Sequence, residues 1–356
     1  MAAAITGTRL IWLVIALLAV ATHALGTSLF DGLRISLSHW DAISYLQIAE
    51  HGYATHLDYR DAFLPGFPLL IRGVQLVAQD EVLAAWLVCL VAESAGLYFL
   101  YRMVEAERDR GSAAFCVWFI ALFPTAVFFI APFTEAPFMA AAAASLYYAR
   151  QGRSTRAALA AAVAVAFRLT GLALLPALLI EALRPGRRTW QRFLWLAVIP
   201  LPLVLYCAYM RLHTGDALAL FDAQNTASFS HSLAAPWDGF SATWRTMANA
   251  TDGDTRSIFA REIAFGLLGL VAAVAMWVSS RVPRSWALYC TVAWLMTASL
   301  SFWRSEPRYV LALFPAAVVI ADVTAHARVR RGVVLAASAV LMCLATWLFA
   351  TGEWVG

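Results

Sequence analysis

The chain has 356 residues, of which 62% are hydrophobic, with a mean hydropathy of +0.70 and a formal net charge of +4. A transmembrane helix needs about 20 mostly apolar residues, so this composition excludes an ordinary soluble domain and is typical of a polytopic membrane protein. All 26 basic residues are arginines in short clusters between apolar runs, a pattern that predicts no nucleic-acid partner.

The apolar runs predict an all-α membrane protein with about 11 transmembrane helices in a single integral membrane domain, residues 1–356. Two longer polar stretches, 27–81 and 213–257, are predicted to be loops. The five cysteines lie inside apolar runs, which predicts small buried side chains and not disulfides or metal ligands. The predicted spans are 9–26, 82–103, 112–131, 136–150, 157–168, 171–183, 191–212, 258–280, 285–303, 307–325 and 332–350.

Arginine clusters predict the orientation, because cytoplasmic loops carry an excess of basic residues. Placing all five clusters in the cytoplasm makes the N-terminus cytoplasmic and both long loops extracytoplasmic, in a multi-pass protein of the cytoplasmic membrane. The first loop is predicted to carry amphipathic surface helices at 40–51 and 63–78, the second of them lying in the outer leaflet. The clusters are Arg102/Arg108/Arg110, Arg150/Arg153/Arg156, Arg184/Arg187/Arg188/Arg192, Arg281/Arg284 and Arg328/Arg330/Arg331.

The segment 157–183 must enter and leave the membrane on one side, since arginine clusters flank both of its ends. Its two halves, 12 and 13 residues long, reach only about 18–20 Å, less than the roughly 30 Å hydrocarbon core. We therefore predict two short helices that meet at a polar corner, Arg168 to Gly171, inside the membrane.

Asp41 begins the amphipathic stretch of the first loop. It is a candidate general base that would remove a proton from an acceptor hydroxyl at the membrane surface. The alternative is structural: residues 38–41 fit a capping box, with Asp41 stabilised by the helix dipole. The residues by themselves leave both interpretations open.

Glu135 and Arg168 are ionisable residues at membrane depth, where such side chains are usually functional. Arg168 precedes a predicted helix N-terminus, and the two together would form an anion site suited to a lipid-linked phosphate. The alternatives are that Glu135 and Thr134 cap the following helix, and that Arg168 forms a structural ion pair, for example with Glu93.

Arg304 and Arg308, next to Tyr309, form a second cationic corner that is predicted to face outward. They would bind the same phosphate or, alternatively, lipid headgroups. In the second loop, the stretch 252–254 reads Asp-Gly-Asp, which is more typical of a turn than of a metal site. His213, His231, Trp237 and Trp244 of this loop are predicted to shape an acceptor groove or, alternatively, to anchor the loop at the membrane interface. The histidines lack metal-ligand spacing. A carboxylate base together with arginines for a phosphate is chemically sufficient, so no metal or other cofactor is required, although a divalent metal stays an open alternative.

Taken in chain order, several motifs resemble those of the PIG-V-type, or GPI mannosyltransferase 2-like, family. Around Pro65 the chain carries Leu64 and Gly66 where bulkier residues are expected from the family. The motifs are Trp40-Asp41-Ala42 with Tyr45-Leu46 and Gly52-Tyr53, Ala62-Phe63-Leu64-Pro65 with Pro68, Phe133-Thr134-Glu135, Phe167-Arg168 with Gly171, and Pro307-Arg308-Tyr309.

The resemblance implies a GT-C fold, the class of polytopic glycosyltransferases that take a sugar from a polyprenyl phosphate and invert its anomeric configuration. It implies that Asp41 is the catalytic base and that Glu135 is a supporting acid. Arg168 and Arg308 are expected at the donor phosphate, with Arg304 beside them. The expected substrate pocket consists of Trp40, Tyr45, Asp61, Pro65 and Tyr309.

The expected reaction transfers mannose from polyprenyl-phosphate mannose to a lipid or glycan acceptor at the outer face of the membrane. One alternative keeps the fold and changes the substrate, to another polyprenyl-phosphate-linked sugar or a protein acceptor. Another alternative is a different class of protein, either a lipid or glycan transporter or a non-catalytic subunit of a larger glycosylation complex.

The predicted orientation can be tested by cysteine labelling in intact cells. A cysteine placed near Arg108 is expected to resist a membrane-impermeant thiol reagent, and one placed near Asp58 is expected to react with it, because only the second lies outside the membrane barrier. Permeabilised cells provide the control, in which both should react. The reverse pattern in intact cells would overturn the orientation.

Overall fold

The computed structural model describes residues 2–23, 28–184, 190–226, 229 and 231–356. Within these residues the regular secondary structure is helical, apart from one isolated antiparallel bridge between Leu233 and Leu300. The predicted all-α class is therefore confirmed. Some predicted features lie outside the described residues, namely the end of the first span (24–26), residue 27 of the first loop, Arg187 and Arg188, and residues 227, 228 and 230 of the second loop.

The described chain forms a succession of α-helices joined by short 3-10 helices. The α-helices are α1 Ala2–His23, α2 Leu29–Leu37, α3 Asp41–His51, α4 Gly66–Ala78, α5 Glu81–Glu107, α6 Arg110–Ala121, α7 Glu135–Arg150, α8 Ser154–Phe167, α9 Leu174–Ala182, α10 Trp190–Leu196, α11 Leu201–His213, α12 Ala219–Gln224, α13 Pro236–Asn249, α14 Gly253–Val278, α15 Arg284–Ala298, α16 Glu306–Tyr309, α17 Ala317–Val323 and α18 Arg328–Ala350. The 3-10 helices are Tyr59–Ala62, Ala126–Phe129, Leu169–Ala173 and Val310–Ala316.

Five helical segments in the described chain are long and apolar enough to cross a membrane. The other predicted spans coincide with shorter helices, one of them interrupted near Pro315. The chain is thus a multi-pass membrane protein, and the number of about 11 spans stays a prediction. The five segments are Ile5–Thr22, Glu81–Glu107, Trp190–His213, Gly253–Val278 and Arg328–Ala350.

Aspartate N-caps begin the two longest helices. Asp80 accepts a hydrogen bond from the Leu83 backbone N–H at 2.8 Å at the start of α5, and Asp252 accepts one from Thr255 at 2.6 Å at the start of α14. Such caps satisfy backbone donors that the first helical turn leaves unpaired. The Asp-Gly-Asp stretch at 252–254 is therefore a helix start, in line with the structural interpretation of that motif.

Helix α7 lies at the centre of the bundle, packed between α5 and α8. Its alanine-rich surface allows close approach, as small residues do between membrane helices. A Cβ atom added at Gly96 of α5 would lie 2.6 Å from the Met139 side chain and 3.2 Å from the Ala140 backbone nitrogen. This tight packing holds Glu135, the first residue of α7, in a fixed position.

The predicted break at 168–171 is confirmed. Helix α8 ends at Phe167, Arg168 has an extended backbone, and a 3-10 turn leads into α9. A Cβ atom at Gly171 would lie 2.6 Å from the backbone nitrogen of Val165, so the chain folds back directly on the end of α8. The Arg168 side chain is therefore presented at the corner.

Helix α4 corresponds to the predicted surface helix. Its 13 residues extend about 20 Å, which is too short to span a bilayer. Phe67 and Ile71 are buried against the bundle, whereas Leu76 and Val77 are 82% and 87% exposed. An apolar outer face of this kind suits contact with lipid.

Residues from the five arginine clusters meet at one end of the bundle, as the predicted topology requires. Arg150 pairs with Glu107 at 2.7 Å and with Glu181 at 3.1 Å. Glu181 also pairs with Arg184 at 3.0 Å and accepts a hydrogen bond from Ser285, the neighbour of Arg284. The fifth cluster joins them through Arg331 and Ser112, whose side-chain polar atoms lie 3.5 Å apart. The compartment that this end faces stays a prediction.

Two glycines of α4 offer a matched stability test. A Cβ atom at Gly66 would lie 2.5 Å from the carbonyl oxygen of Ala166, whereas one at Gly73 meets nothing within 4 Å. We expect Gly66→Ala to destabilise the protein by about 1–3 kcal/mol through overpacking. Gly73→Ala is expected to be neutral or slightly stabilising, because alanine favours helix. Thermal unfolding of the detergent-purified variants measures both, and equal melting temperatures would contradict the close contact at Gly66.

Candidate active site

Asp41 is the first residue of α3, and the residue before it has an unusual backbone. Trp40 has φ +51°, in the left-handed region that a large side chain rarely adopts. Its indole packs edge-on against Phe349 and Trp354, with ring centroids 5.1 and 5.2 Å away. These aromatic contacts offset the backbone strain and set the direction in which Asp41 leaves the turn.

The capping-box interpretation of Asp41 is wrong. Trp40 occupies the N-cap position and no side chain caps α3, while the Ser38 hydroxyl is buried without a hydrogen bond. Asp41 instead makes a long-range contact. Its Oδ2 accepts a hydrogen bond of 2.5 Å from Nη1 of Arg308.

Arg308 comes from α16, a short helix that also starts at a left-handed residue, Ser305, with φ +71°. The helix is held in two places. Its Glu306 backbone N–H donates to Glu262 at 2.8 Å, and the Pro307 carbonyl accepts from the Thr125 hydroxyl at 2.7 Å. The guanidinium of Arg308 is thereby fixed over the N-terminal end of α3.

Glu135 connects Arg308 to Arg168. Its Oε1 accepts a short hydrogen bond from Nη1 of Arg168, and Nε of Arg308 lies 3.1 Å from the same oxygen. The Glu135 side chain is 3% exposed. The alternative partner of Arg168 is wrong, because Glu93 pairs with Arg9 at 2.7 Å.

Asp41, Arg308, Glu135 and Arg168 thus form a chain of alternating charges, which we name the four-charge cluster. Two carboxylates and two guanidiniums make it neutral overall. Buried charges are tolerated when they are paired in this way, since each unpaired ion would cost several kcal/mol. Asp41 is the most accessible acid of the cluster, with 18% of its side chain exposed, so an incoming hydroxyl can reach it.

Aromatic rings line the four-charge cluster. The Tyr309 ring lies under both arginines, 5.1 Å from the Arg168 guanidinium carbon and 5.5 Å from that of Arg308, within the range of cation–π attraction. The Tyr45 hydroxyl lies 3.5 Å from Oγ1 of Thr134, the residue before Glu135. Burial, with the Asp41 charge second, raises the pKa of Tyr45 above its usual value, so the phenol stays protonated.

Arg304 lies on the same corner as Arg308 but outside the four-charge cluster. It is exposed, and its guanidinium carbon is 5.9 Å from the Trp354 ring. No carboxylate of the described residues lies within ion-pair distance of it. Its charge acts on the buried Glu262 carboxylate without a direct ion pair, and it lies close to Trp40, since Trp354 contacts both side chains.

Asp61 and Pro65 lie apart from the four-charge cluster. Asp61 accepts a hydrogen bond from the Asp58 backbone N–H at 3.0 Å in a capping box, which gives it a structural role. The pKa of the Asp61 carboxyl is raised above its usual value, mainly because the carboxyl is buried. Pro65 precedes Gly66, whose backbone packs on Ala166 behind the Arg168 corner. A larger residue at 66 would clash there, which explains glycine at this position.

The tail after α18 was not predicted to take part in the site. Its Trp354 contacts Trp40 and donates a 3.3 Å hydrogen bond to Glu262. No local signal indicates these contacts, because they join residues that lie far apart in the chain. In the second loop, His231 was predicted for an acceptor groove; it is buried, and the ring of nearby Phe229 packs on Phe63 at 5.8 Å. Among the described residues, no group of three or more metal-ligating side chains is close enough to bind an ion.

No family model matches the chain. Over 155 residues, 40% of the chain, it is 34% identical to the proteins named GPI alpha-1,6-mannosyltransferase 2 of Cricetulus griseus and Homo sapiens. The match covers 31% of each of them, so the chain spans about a third of the length of these curated relatives. The resemblance inferred from the motifs is thereby confirmed as a partial similarity.

The fold is similar to that in the crystal structure of ArnT from Cupriavidus metallidurans bound to undecaprenyl phosphate. The TM-score is 0.53 at 15% identity, and the match covers 89% of this chain and 59% of ArnT. ArnT has the GT-C fold, so the predicted GT-C-like architecture is confirmed. At this identity the similarity concerns the fold.

The four-charge cluster predicts strong coupling between Glu135 and Arg168. Arg168→Met leaves Glu135 with one of its two cations, and Glu135→Gln leaves two guanidiniums without the carboxylate between them, so each is expected to lower the melting temperature. The double variant should lose less than the sum, with a coupling energy of about 0.5–3 kcal/mol.

Thermal unfolding of the four purified proteins measures this coupling. The exposed pair Arg110–Glu105, 3.2 Å apart, is the control and should couple more weakly, because solvent screens it. Additive effects at Glu135 and Arg168 would contradict a shared buried cluster.

Proposed function

We propose that this protein is an inverting mannosyltransferase that moves mannose from polyprenyl-phosphate mannose to a lipid or glycan acceptor at the extracytoplasmic face of the cytoplasmic membrane. One observation carries the proposal. The Asp41 carboxylate and the Arg308 guanidinium, a base and a phosphate-binding cation, lie 2.5 Å apart at the end of the bundle away from the arginine clusters. The names of the partial relatives and the fold shared with a polyprenyl-phosphate-bound protein support the substrate class.

Transfer with inversion needs one base and in-line attack on the anomeric carbon. Asp41 takes the proton of the acceptor hydroxyl as the acceptor oxygen forms its bond to carbon and the carbon–oxygen bond to phosphate breaks. The phosphate leaves with one additional negative charge. Arg308 and Arg168 stabilise this charge, and the phosphate, already a good leaving group, needs no acid.

Donor binding itself activates Asp41 in this mechanism. In the cluster, Arg308 is divided between Asp41 and Glu135. An arriving phosphate competes for the Arg308 guanidinium and so weakens its hold on the Asp41 carboxylate. The carboxylate oxygens that Arg308 releases can then accept the proton of the acceptor hydroxyl, so the base becomes available when the sugar is in place.

The remaining residues have supporting roles in the proposal. Glu135 orients the side chains of Arg168 and Arg308, and the Tyr309 ring separates these two side chains from the apolar core. Trp40, Tyr45 and Tyr309 contribute the substrate pocket, whereas Asp61 and Pro65, which were also predicted for it, support the first loop beside it. The arginines provide the positive charge that the leaving phosphate requires, so the mechanism uses no metal or other cofactor.

The proposal is tested by transfer of labelled mannose from polyprenyl-phosphate mannose in membranes that contain the protein. Asp41→Asn is expected to lower turnover by about 10²–10⁴-fold, the usual contribution of a general base. Donor binding should persist or strengthen, because Arg308 loses its competing carboxylate. Glu50→Gln is the control on the same helix, where the side chain is 56% exposed, and should transfer at the wild-type rate.

Three outcomes separate the alternatives. Near wild-type transfer by Asp41→Asn would show that Asp41 is not the base. Transfer from polyprenyl-phosphate glucose in preference to the mannose donor would keep the mechanism and change the sugar. If no labelled product forms, and the Asp41→Asn variant still supports the cellular function of the protein, the result would favour a transporter or a non-catalytic subunit.

A further inference from the structure

His231 is a buried imidazole that the mechanism above does not use. It belongs to the second long loop, yet only 6% of the residue is exposed. Its Nε2 is buried and has no hydrogen-bond partner within the described part of the chain. Buried polar atoms are nearly always paired in proteins, so an unpaired one next to a charged site is a candidate for contact with a ligand.

Backbone pairing fixes the position of His231. Its own N–H donates to the Gln224 carbonyl at 2.9 Å. The next residue, Ser232, pairs with Ser301, whose N–H donates to the Ser232 carbonyl at 2.8 Å. Ser301 lies shortly before Arg304 and Arg308 in the chain. The backbone pairing of Ser232 with Ser301 therefore holds His231 near both arginines.

Aromatic contacts connect His231 to the four-charge cluster through three intervening rings. The Phe229 ring lies 6.3 Å from the His231 ring and 5.8 Å from Phe63. Phe63 in turn packs on Tyr45 at 4.9 Å, and the Tyr45 hydroxyl lies beside Thr134, next to Glu135. The charges of Arg304 and Arg308 act on the imidazole, which places it near this end of the site.

The environment keeps the imidazole neutral. Burial, followed by the positive charges of Arg304 and Arg308, lowers the pKa of His231 to about 4. A neutral imidazole with an Nε2–H donates one hydrogen bond and adds no further charge beside two guanidiniums.

We propose that His231 binds the phosphate of the polyprenyl-linked donor, donating a hydrogen bond from Nε2 beside Arg304 and Arg308. This inference rests on the proposed function. Arg308 and Arg168 share their charge with the two carboxylates of the neutral four-charge cluster, so donors outside the cluster add to binding of the phosphate. Arg304 and His231 provide them, since neither is paired with a carboxylate of the described residues.

The contribution of His231 is greatest when the donor reacts. The phosphodiester of the donor carries one negative charge, and the phosphate monoester that leaves can carry two. A fixed N–H donor aimed at the phosphate stabilises the charge that develops as the bond to the sugar breaks. His231 is therefore expected to affect both binding of the free polyprenyl phosphate and the rate of transfer.

The experiment measures binding of undecaprenyl phosphate to the detergent-purified protein. His231→Leu is expected to weaken binding by roughly 10–100-fold, the usual effect of losing a hydrogen bond to a charged group. His231→Gln keeps an N–H donor and should bind within about threefold of wild type. His51→Leu, at a surface histidine with 66% of its side chain exposed, is the matched control and should bind like wild type.

Two competitors identify the bound chemistry. Inorganic phosphate competes if the headgroup alone is recognised, and undecaprenol, which lacks the phosphate, should not compete. If His231→Leu does not fold, as judged by its melting temperature, His231→Met gives the same comparison. Wild-type affinity in either folded apolar variant would overturn the proposal.

The result separates this inference from the proposed transferase. If the wild-type protein binds undecaprenyl phosphate through His231 but transfers no sugar, the phosphate site stands and the transferase proposal fails. If the protein transfers mannose and His231→Leu binds normally, only the role of His231 is wrong.

Discussion

The site depends on the pairing of Arg308 with Asp41 and Glu135. Charges in a membrane protein are costly unless they are paired, so three parts of the chain must meet for any of these charges to be tolerated. Arg308 contacts the start of α3 through Asp41 and the start of α7 through Glu135, and Glu135 adds Arg168. In the proposed mechanism the same pairing also controls the base, because a phosphate that takes Arg308 frees Asp41.

The charged residues of the site lie where the backbone is irregular, at turns and breaks between helices. Trp40 and Ser305, both left-handed, precede the elements that carry Asp41 and Arg308, and the broken helix at 167–169 presents Arg168. Regular helices would direct these side chains along the bundle surface. Backbone strain of about 1–3 kcal/mol at each left-handed residue is offset by the rings around Trp40 and the hydrogen bonds around α16, so the surrounding packing maintains the geometry of the site.

Several predictions were correct because the physical signal is local. The flanking arginines and the short halves of 157–183 predicted the break at Arg168, and the short irregular stretch at 63–78 predicted helix α4. The interpretation of Asp41 as a capping residue was wrong. A capping box depends on backbone angles, and the positive φ of Trp40 arises from packing against residues near the C-terminus, which no local pattern contains. Trp354, whose contact with Trp40 joins distant parts of the chain, was therefore missing from the predicted site.

The sequence by itself determined that this is an all-α membrane protein and that the helix breaks at Arg168, because hydropathy, helix length and arginine distribution are properties of neighbouring residues. Only the tertiary structure decided which charges pair. Arg168 contacts Glu135 and not Glu93, Arg308 reaches Asp41, and His231 is buried beside Arg308. The physical reason is that ion pairs form between whichever groups the packing of distant helices brings together.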